Sequence, residues 1–129
     1  MASKRTIQTD KAPEAIGPYS QAVVVGDTIY CSGQVPLVPE TMELVSDDIE
    51  AQTHQVMENL RAVLSEAGSD FSRVVKFSIF LDRMSDFKTV NQLYGSYLSG
   101  ELPARETVAV AELPKGARIE ISCIALKAD

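Results

Sequence analysis

The residues that could do chemistry in this chain are few, and they exclude most familiar kinds of active site. The 129 residues include one histidine, His54, and two cysteines, Cys31 and Cys123. A Ser-His-Asp or Cys-His site needs a histidine beside its nucleophile, and a zinc site needs clustered Cys and His ligands. Glycine-rich phosphate-binding motifs are also missing from the sequence. An enzyme with this sequence would therefore work with Arg, Glu, Ser, Tyr and backbone groups, without a metal or cofactor.

One arginine stands out by its position. The segment PARETVAV, residues 103–110, places Arg105 at the start of what otherwise resembles a buried strand. Thr107 and Val108 have the β-branched side chains that strands favour, whereas Arg105 carries a permanent charge. From the residues alone, an ion pair at a subunit interface is the simpler explanation, and a binding role is the alternative.

Composition restricts the class of protein. The net charge of −6, from 12 basic and 18 acidic residues, argues against nucleic acid as a partner, because phosphate contacts dominate such binding. No apolar run is long enough to span a membrane, and the first residues resemble no signal peptide. We expect one domain over residues 1–129, a flexible end over 1–5, and reduced thiols. The expected compartment is the cytoplasm, or an organelle if a leader has been removed.

The hydrophobic pattern predicts a mixed α+β fold. Apolar residues recur at steps of three and four over residues 48–67, which indicates a helix, and they alternate over 74–82 and 118–126, which indicates strands. The predicted elements are a hairpin around Gly26-Asp27, a helix over 48–67 that Asp48 could cap, a strand over 74–82, a second helix capped by Ser85 and Asp86, and strands over 105–111 and 118–126. This order favours a single, mostly antiparallel sheet with two helices on one face.

Two helices cover only one face of such a sheet. The other face must meet solvent or another copy of the chain. Glu120 belongs to the polar face of the last predicted strand, together with Arg118 and Ser122. Its mixed polar character suits a hydrated interface or a binding site better than an ordinary core.

Five motifs in order resemble one family. They are GPYSQAV at 17–23, SGQVPL at 32–37, VVK…FL with DF..VN..Y at 74–94, PAR.TV.V at 103–110 and LPKGARIEI at 113–121. Together they resemble the RidA/YjgF family of imine deaminases, also called the L-PSP endoribonuclease family, over residues 6–127. The resemblance implies a chorismate-mutase-like fold, and a homotrimer with its sheets at the centre and clefts between subunits.

The resemblance also implies an activity and two catalytic residues. Family members hydrolyse 2-imino and enamine acids, such as 2-iminobutanoate and 2-aminoacrylate, to 2-keto acids and ammonia. Arg105 stands at the family's carboxylate-binding arginine, whose planar fork suits a carboxylate. Glu120 stands at the glutamate of the IEI motif, where a carboxylate can activate water or transfer a proton. For both residues the structural alternative is an interface ion pair.

Four further residues match the family's substrate-binding positions. Ser32 and Gly33 resemble a pair whose backbone N–H and hydroxyl line the pocket, and Tyr19 resembles the pocket tyrosine. Thr107 replaces a common cysteine, so we expect only its backbone carbonyl to hold a water molecule. The alternatives are a plain strand end for Ser32 and a core or interface aromatic for Tyr19.

Three departures from the family pattern bear on the site. Met42 replaces a turn glycine, so that turn must avoid a positive φ or tolerate strain. Ser122 and Cys123 replace a common Glu-Ala pair and bear on the preferred imine. Two other functions remain open: cleavage of single-stranded RNA, and a non-catalytic trimer that binds a metabolite or protein.

Overall fold

The structure, a computed structural model, describes residues 3–128 and contains one mixed sheet and two helices. The elements are β1 (Lys4–Ile7), β2 (Ala22–Val25), β3 (Thr28–Gln34), α1 (Ile49–Glu66), β4 (Val74–Leu81), α2 (Phe87–Gly95), β5 (Ala104–Ala109) and β6 (Ile119–Leu126). The sheet has the order β1-β2-β3-β6-β4-β5. Only β4 and β5 pair in parallel. The predicted α+β class and the mostly antiparallel sheet are confirmed.

Helix α1 forms where the sequence predicts it. The Asp48 side chain accepts a hydrogen bond from the Ala51 N–H at 2.9 Å, and so caps the first turn. Val56, Leu60 and Val63 are fully buried against the sheet. Gly68, with φ of +82°, follows the helix and provides the left-handed conformation that ends it. None of the helices within residues 3–128 is long and apolar enough to cross a membrane.

The predicted cap of the second helix is wrong in its chemistry. Asp86 precedes α2, yet its side chain makes no capping hydrogen bond. Its carboxylate instead accepts two hydrogen bonds from Arg118, at 2.9 and 3.0 Å. Both bonds come from Nη2 of Arg118. This partly buried, charge-assisted ion pair outweighs a capping bond, and it ties the start of α2 to the start of β6.

Strand β5 lies at the edge of the sheet and is exposed, which corrects its interpretation as a buried strand. It spans Ala104–Ala109, whereas 105–111 was predicted. Val108 remains 44% exposed, because β5 has a neighbour on one side only. The β-branched side chains that suggested burial therefore line a free sheet edge in the isolated protomer.

The N-terminal segment also differs from expectation. Lys4 and Arg5, expected within a flexible end, belong to β1 and pair with Val25 and Val24 of β2. The free backbone edge of β2 and the buried side chain of Ile7 explain the pairing. Residues 1 and 2 lie outside the described residues.

The two faces of the sheet differ sharply. Along β6 the side chains alternate between buried and partly exposed positions, with Ile119, Ile121 and Cys123 in the core beneath the helices. On the helix-free face, Tyr30 and Leu126 are exposed hydrophobic side chains. The protomer thus leaves one face of its sheet uncovered among residues 3–128.

Candidate functional site

Glu120 and Gly33 are in direct contact across β6 and β3. The pairing of these strands shifts between Cys31 and Gln34, which places Gly33 in a bulge. A Cβ atom at position 33 would lie 2.9 Å from Cδ of Glu120 and closer still to Oε2. Any side chain at this position would therefore have to move the Glu120 carboxylate from its present place. Gly33 therefore has a close neighbour within the protomer itself, the Glu120 side chain, and its role toward a ligand stays a prediction.

The environment of Glu120 suits proton transfer. The residue is half-buried, and burial raises its pKa above the ordinary glutamate value. Within residues 3–128 no side chain forms an ion pair or hydrogen bond with its carboxylate. Desolvation without a compensating cation favours the protonated form, so this carboxyl group can both accept and return a proton closer to neutral pH.

The donors of Ser32 are used within the protomer. Its hydroxyl donates to the carbonyl of Ser20 at 2.6 Å, and its backbone N–H donates to the carbonyl of Gln21 at 2.9 Å. The Ser32 hydroxyl is left as an acceptor only. These bonds match the structural alternative for Ser32, and they fix the start of β2 beside the end of β3.

Gln21 is a scaffold residue that sequence reasoning missed. Its fully buried side-chain amide accepts from the N–H of Thr9 at 2.7 Å and donates to the carbonyls of Thr9 and Pro13 at 3.1 and 2.8 Å. The amide thereby fixes the loop that leads to Tyr19. Gln21 lies in the GPYSQAV motif, but nothing in the sequence marks it as a scaffold residue. Its role is visible only from its buried hydrogen bonds to loop carbonyls.

Tyr19 and Gly33 line one cavity of about 280 Å³. Tyr19 is 53% exposed, so it forms an outer wall and not a core contact within the protomer. Met42 and Lys115 line the same cavity, and each has a φ of +62°. Met42 thus tolerates the strained turn.

Arg105 lies on β5, on the face that the helices cover. It pairs in register with Phe77, whose buried side chain marks that face. The guanidinium carbon lies 5.4 Å from the centre of the Phe87 ring and 5.6 Å from that of Tyr94, within cation–π range. Nη1 donates to Oδ1 of Asn91. Asn91, Tyr94 and Arg105 border a cavity of about 420 Å³.

Arg105 has no acidic partner among residues 3–128, and neither has Arg5, which is exposed on β1. Arg61, Arg83 and Arg118 each form an ion pair with a carboxylate. The guanidinium of Arg105 contacts only a neutral amide and two aromatic rings, so its positive charge is not neutralised by them. Such an arginine can bind an external carboxylate without first breaking an ion pair.

Thr107 shares the face of Arg105. Its hydroxyl is buried and has no hydrogen-bond partner among the described residues. The N–H of Val110 bonds inward to the carbonyl of Leu81. The N–H and C=O groups of a strand residue point to one side, and those of the next residue point to the other. Thr107 lies three residues before Val110, so its carbonyl faces the free edge of the sheet, where it can accept a hydrogen bond from water.

A single protomer does not bring all of the predicted site residues together. Glu120 pairs with Phe80, which pairs with Val108, so two strand spacings, about 10 Å, separate β6 from β5. Arg105 lies three residues from Val108 and on the opposite face. One group therefore contains Tyr19, Ser32, Gly33 and Glu120, which we call the carboxylate group. The other contains Arg105 and Thr107, which we call the arginine group.

The histidine and the cysteines lie apart from both groups. His54 is exposed on α1, as expected, and its Nδ1 lies 2.6 Å from the Tyr97 hydroxyl. Cys31 and Cys123 are free thiols, buried and directly opposite each other on β3 and β6. The hydrogen bond that the Cys123 thiol makes to Cys31, followed by burial, raises the pKa of Cys123 well above its usual range. A thiol in this state is a poor nucleophile.

Comparisons with known proteins agree on one family. Residues 9–127 match the family model described as endoribonuclease L-PSP. The protein DfrA of Myxococcus xanthus is 52% identical over 126 residues, which cover 96% of each chain. The 2-iminobutanoate/2-iminopropanoate deaminase of Mus musculus is 49% identical, over 96% of this chain and 92% of the mouse protein. The crystal structure of RidA from an Antarctic Psychrobacter is 50% identical, with a TM-score of 0.91 over 95% of this chain and 98% of that one.

Proposed function

This chain belongs to the endoribonuclease L-PSP family, the family that includes RidA and YjgF, and from that premise we propose that it is a cofactor-independent imine deaminase. It converts 2-iminopropanoate, 2-iminobutanoate and their enamine tautomers into 2-keto acids and ammonia. The mouse relative carries the name of this activity. Identity near one half supports the reaction class, and the particular imino acids are part of the proposal.

The observation that carries the proposal is the unpaired charge of Arg105. Every substrate in this class has a carboxylate, and a guanidinium with a free edge binds it through two parallel hydrogen bonds. Phe87 and Tyr94 hold the guanidinium plane beside an open cavity. An arginine placed for packing alone would be expected to have an acidic partner, as Arg118 does.

We further propose that the complete site forms between two subunits. The arginine group of one protomer faces the carboxylate group of its neighbour in a homotrimer. Both groups lie where the protomer is uncovered: Arg105 on the free edge strand, and Tyr19 on an exposed wall. Oligomers commonly build sites from facing surfaces of this kind.

The reaction needs positioning and one acid–base group. With the substrate carboxylate on Arg105, Glu120 accepts a proton from a water molecule as the water oxygen bonds to the carbon of the protonated C=N group. The resulting carbinolamine takes that proton from Glu120 onto its nitrogen. Loss of ammonia, together with the hydroxyl proton, leaves the keto acid. Orientation and proton transfer each contribute about 10²-fold or more to the rate. These contributions suffice for catalysis because imines already hydrolyse unaided in water.

A coupled assay tests the proposal. A threonine dehydratase releases 2-aminocrotonate and its imine tautomer, and the appearance of 2-oxobutanoate is followed with and without the protein. Trapping the imine with semicarbazide gives a second readout, since a deaminase lowers the trapped fraction. Acceleration that depends on Arg105 is expected. Binding of 2-oxobutanoate without acceleration would favour the non-catalytic alternative, and Arg105-dependent cleavage of single-stranded RNA would favour the ribonuclease.

A further inference from the structure

The side of α2 that faces β5 holds Arg105 with neutral groups only. We propose that Asn91 is a positioning residue that, with Phe87 and Tyr94, fixes the guanidinium of Arg105 while leaving its charge available for a ligand carboxylate. The proposal rests on the proposed function, because it concerns the same carboxylate. It assigns a role to the DF..VN..Y motif that the reaction itself does not use.

The helix spacing brings the three residues to one place. Phe87, Asn91 and Tyr94 follow one another at steps of four and three, so they lie on one side of α2. Tyr94 is buried and packs edge-on against Phe77, with ring centres 5.1 Å apart. The aromatic surface beneath Arg105 is thus anchored in the core, whereas Asn91 is exposed and contributes little to packing.

Counting donors shows what remains for a ligand. A guanidinium has five N–H groups, and Asn91 accepts from Nη1. No other residue of the 3–128 range accepts a hydrogen bond from Arg105. The edge formed by Nε and Nη2 is therefore free, and it offers two parallel donors that match the two oxygens of a carboxylate. Asn91 binds Nη1, the nitrogen that a carboxylate on the Nε and Nη2 edge does not use.

The neutrality of Asn91 is the central point. An aspartate at this position has the same shape and the same accepting oxygen, so it would hold the same geometry. Its charge, however, would neutralise Arg105, as Asp86 neutralises Arg118. The substrate would then have to displace an ion pair, since hydrogen bonds between charged partners are the stronger ones.

Substitutions at two neighbouring positions test this inference. Asn91→Asp keeps the acceptor and adds charge, and Asn91→Leu removes the acceptor. Gln92→Asp and Gln92→Leu are matched controls on the same helix, since Gln92 is exposed, lies one residue away and makes no contact with Arg105. Each variant is assayed for kcat and KM in the coupled reaction, for thermal stability, and for binding of 2-oxobutanoate by calorimetry.

We expect Asn91→Asp to weaken 2-oxobutanoate binding and to raise KM by about tenfold or more, with a smaller change in kcat. Asn91→Leu should lower kcat/KM by about tenfold, and raised salt should weaken its ligand binding as in the parent protein. The Gln92 variants should match the parent. Equal binding by Asn91→Asp and the parent, or losses that follow thermal stability alone, would overturn the inference while leaving the proposed function in place. A parent protein that neither binds the keto acid nor accelerates the reaction would overturn both.

Discussion

The carboxylate of Glu120 lies directly over the Cα atom of Gly33, in the space that a side chain would otherwise fill. The contact joins a strand bulge to the middle of the last strand. The Glu120 carboxylate, the proposed proton-transfer group, can therefore hold this position only if residue 33 has no side chain. Glycine at this position therefore serves the site through its small size, since its φ is not in the left-handed region.

The first prediction concerns that contact. Gly33→Ala should displace the Glu120 side chain and lower kcat/KM by about tenfold or more, because a misplaced acid–base group loses most of its contribution. The coupled assay and a thermal melt measure both effects. Gly95→Ala is the matched control for the thermal melt only, since a Cβ atom there meets nothing within 4 Å but the residue lines the cavity beside Arg105. Equal activity of Gly33→Ala and the parent would contradict the role of the contact.

The second prediction concerns the geometry of Arg105. Lysine keeps the charge and loses the planar fork. Arg105→Lys should retain only a small part of the acceleration, and Arg105→Ala should retain none that is detectable. Arg83→Lys is the control, because Arg83 is exposed and pairs with Asp82. An Arg105→Lys enzyme as active as the parent would refute the fork, and dissociation of the Arg105→Ala assembly would favour the interface ion pair.

The third prediction tests the shared site. Light scattering should give about three times the 14.0 kDa chain mass. Arg105→Ala and Glu120→Gln proteins should each be inactive, yet mixed trimers should recover activity. In random equimolar mixtures about one quarter of the sites combine an intact Arg105 with an intact Glu120. Mixtures that remain inactive after confirmed subunit exchange would show that each site belongs to one protomer.

The fourth prediction follows from the raised pKa of Glu120. A carboxyl group whose folded pKa exceeds its unfolded value stabilises the fold at low pH, and this contribution is lost as pH rises through the folded pKa. Glu120→Gln should thus unfold at higher temperature than the parent near neutral pH, and the difference should vanish below the ordinary glutamate pKa. Thermal melts of both proteins across pH, at fixed protein concentration, measure the effect.

Glu106→Gln is the control of opposite sign for this measurement. The Ser78 hydroxyl, and then Lys76, lower the pKa of Glu106, so its contribution is present above the unfolded pKa and is lost as pH falls. Removing that charge should cost stability near neutral pH and nothing in acid. Parallel shifts for Glu106→Gln and Glu120→Gln would rule out the proposed difference in environment.

The fifth prediction separates the side chain of Thr107 from its backbone. Thr107→Val keeps the shape and removes a buried hydroxyl that has no partner among residues 3–128. We expect stability to rise by about 1 kcal/mol and activity to persist, because only the carbonyl is assigned to water. A large loss of kcat with normal folding would assign the hydroxyl a direct role.

The sequence predicted those elements whose periodicity is strong. Helix α1 and strand β6 repeat their apolar residues regularly, so packing and propensity agree. Strand β1 was missed because it has four residues and only Ile7 is buried. Strand β5 was predicted at about the right position, but its burial was predicted wrongly. β-branched residues are common both in core strands and in exposed edge strands.

The sequence names candidate site residues, and it does not indicate how they are arranged. Motif order cannot reveal that β6 inserts between β3 and β4, and so cannot show that Glu120 and Arg105 point to opposite faces. Asn91 was missed for a different reason: an exposed polar residue on a helix resembles any solvated position. Only its contact with Arg105 distinguishes it.

The free edge of β5 and the uncovered sheet face expose newly synthesised protomers to aggregation before they assemble. The unpaired edge of β5, with Val108 exposed on that strand, and the uncovered face, with Tyr30 and Leu126 exposed, offer every newly folded copy surfaces to which other chains can add. Correct association and aggregation therefore compete for the same groups, and their balance depends on the rate of synthesis. The features through which we propose that subunits share a site are thus the ones that make an isolated protomer prone to aggregation.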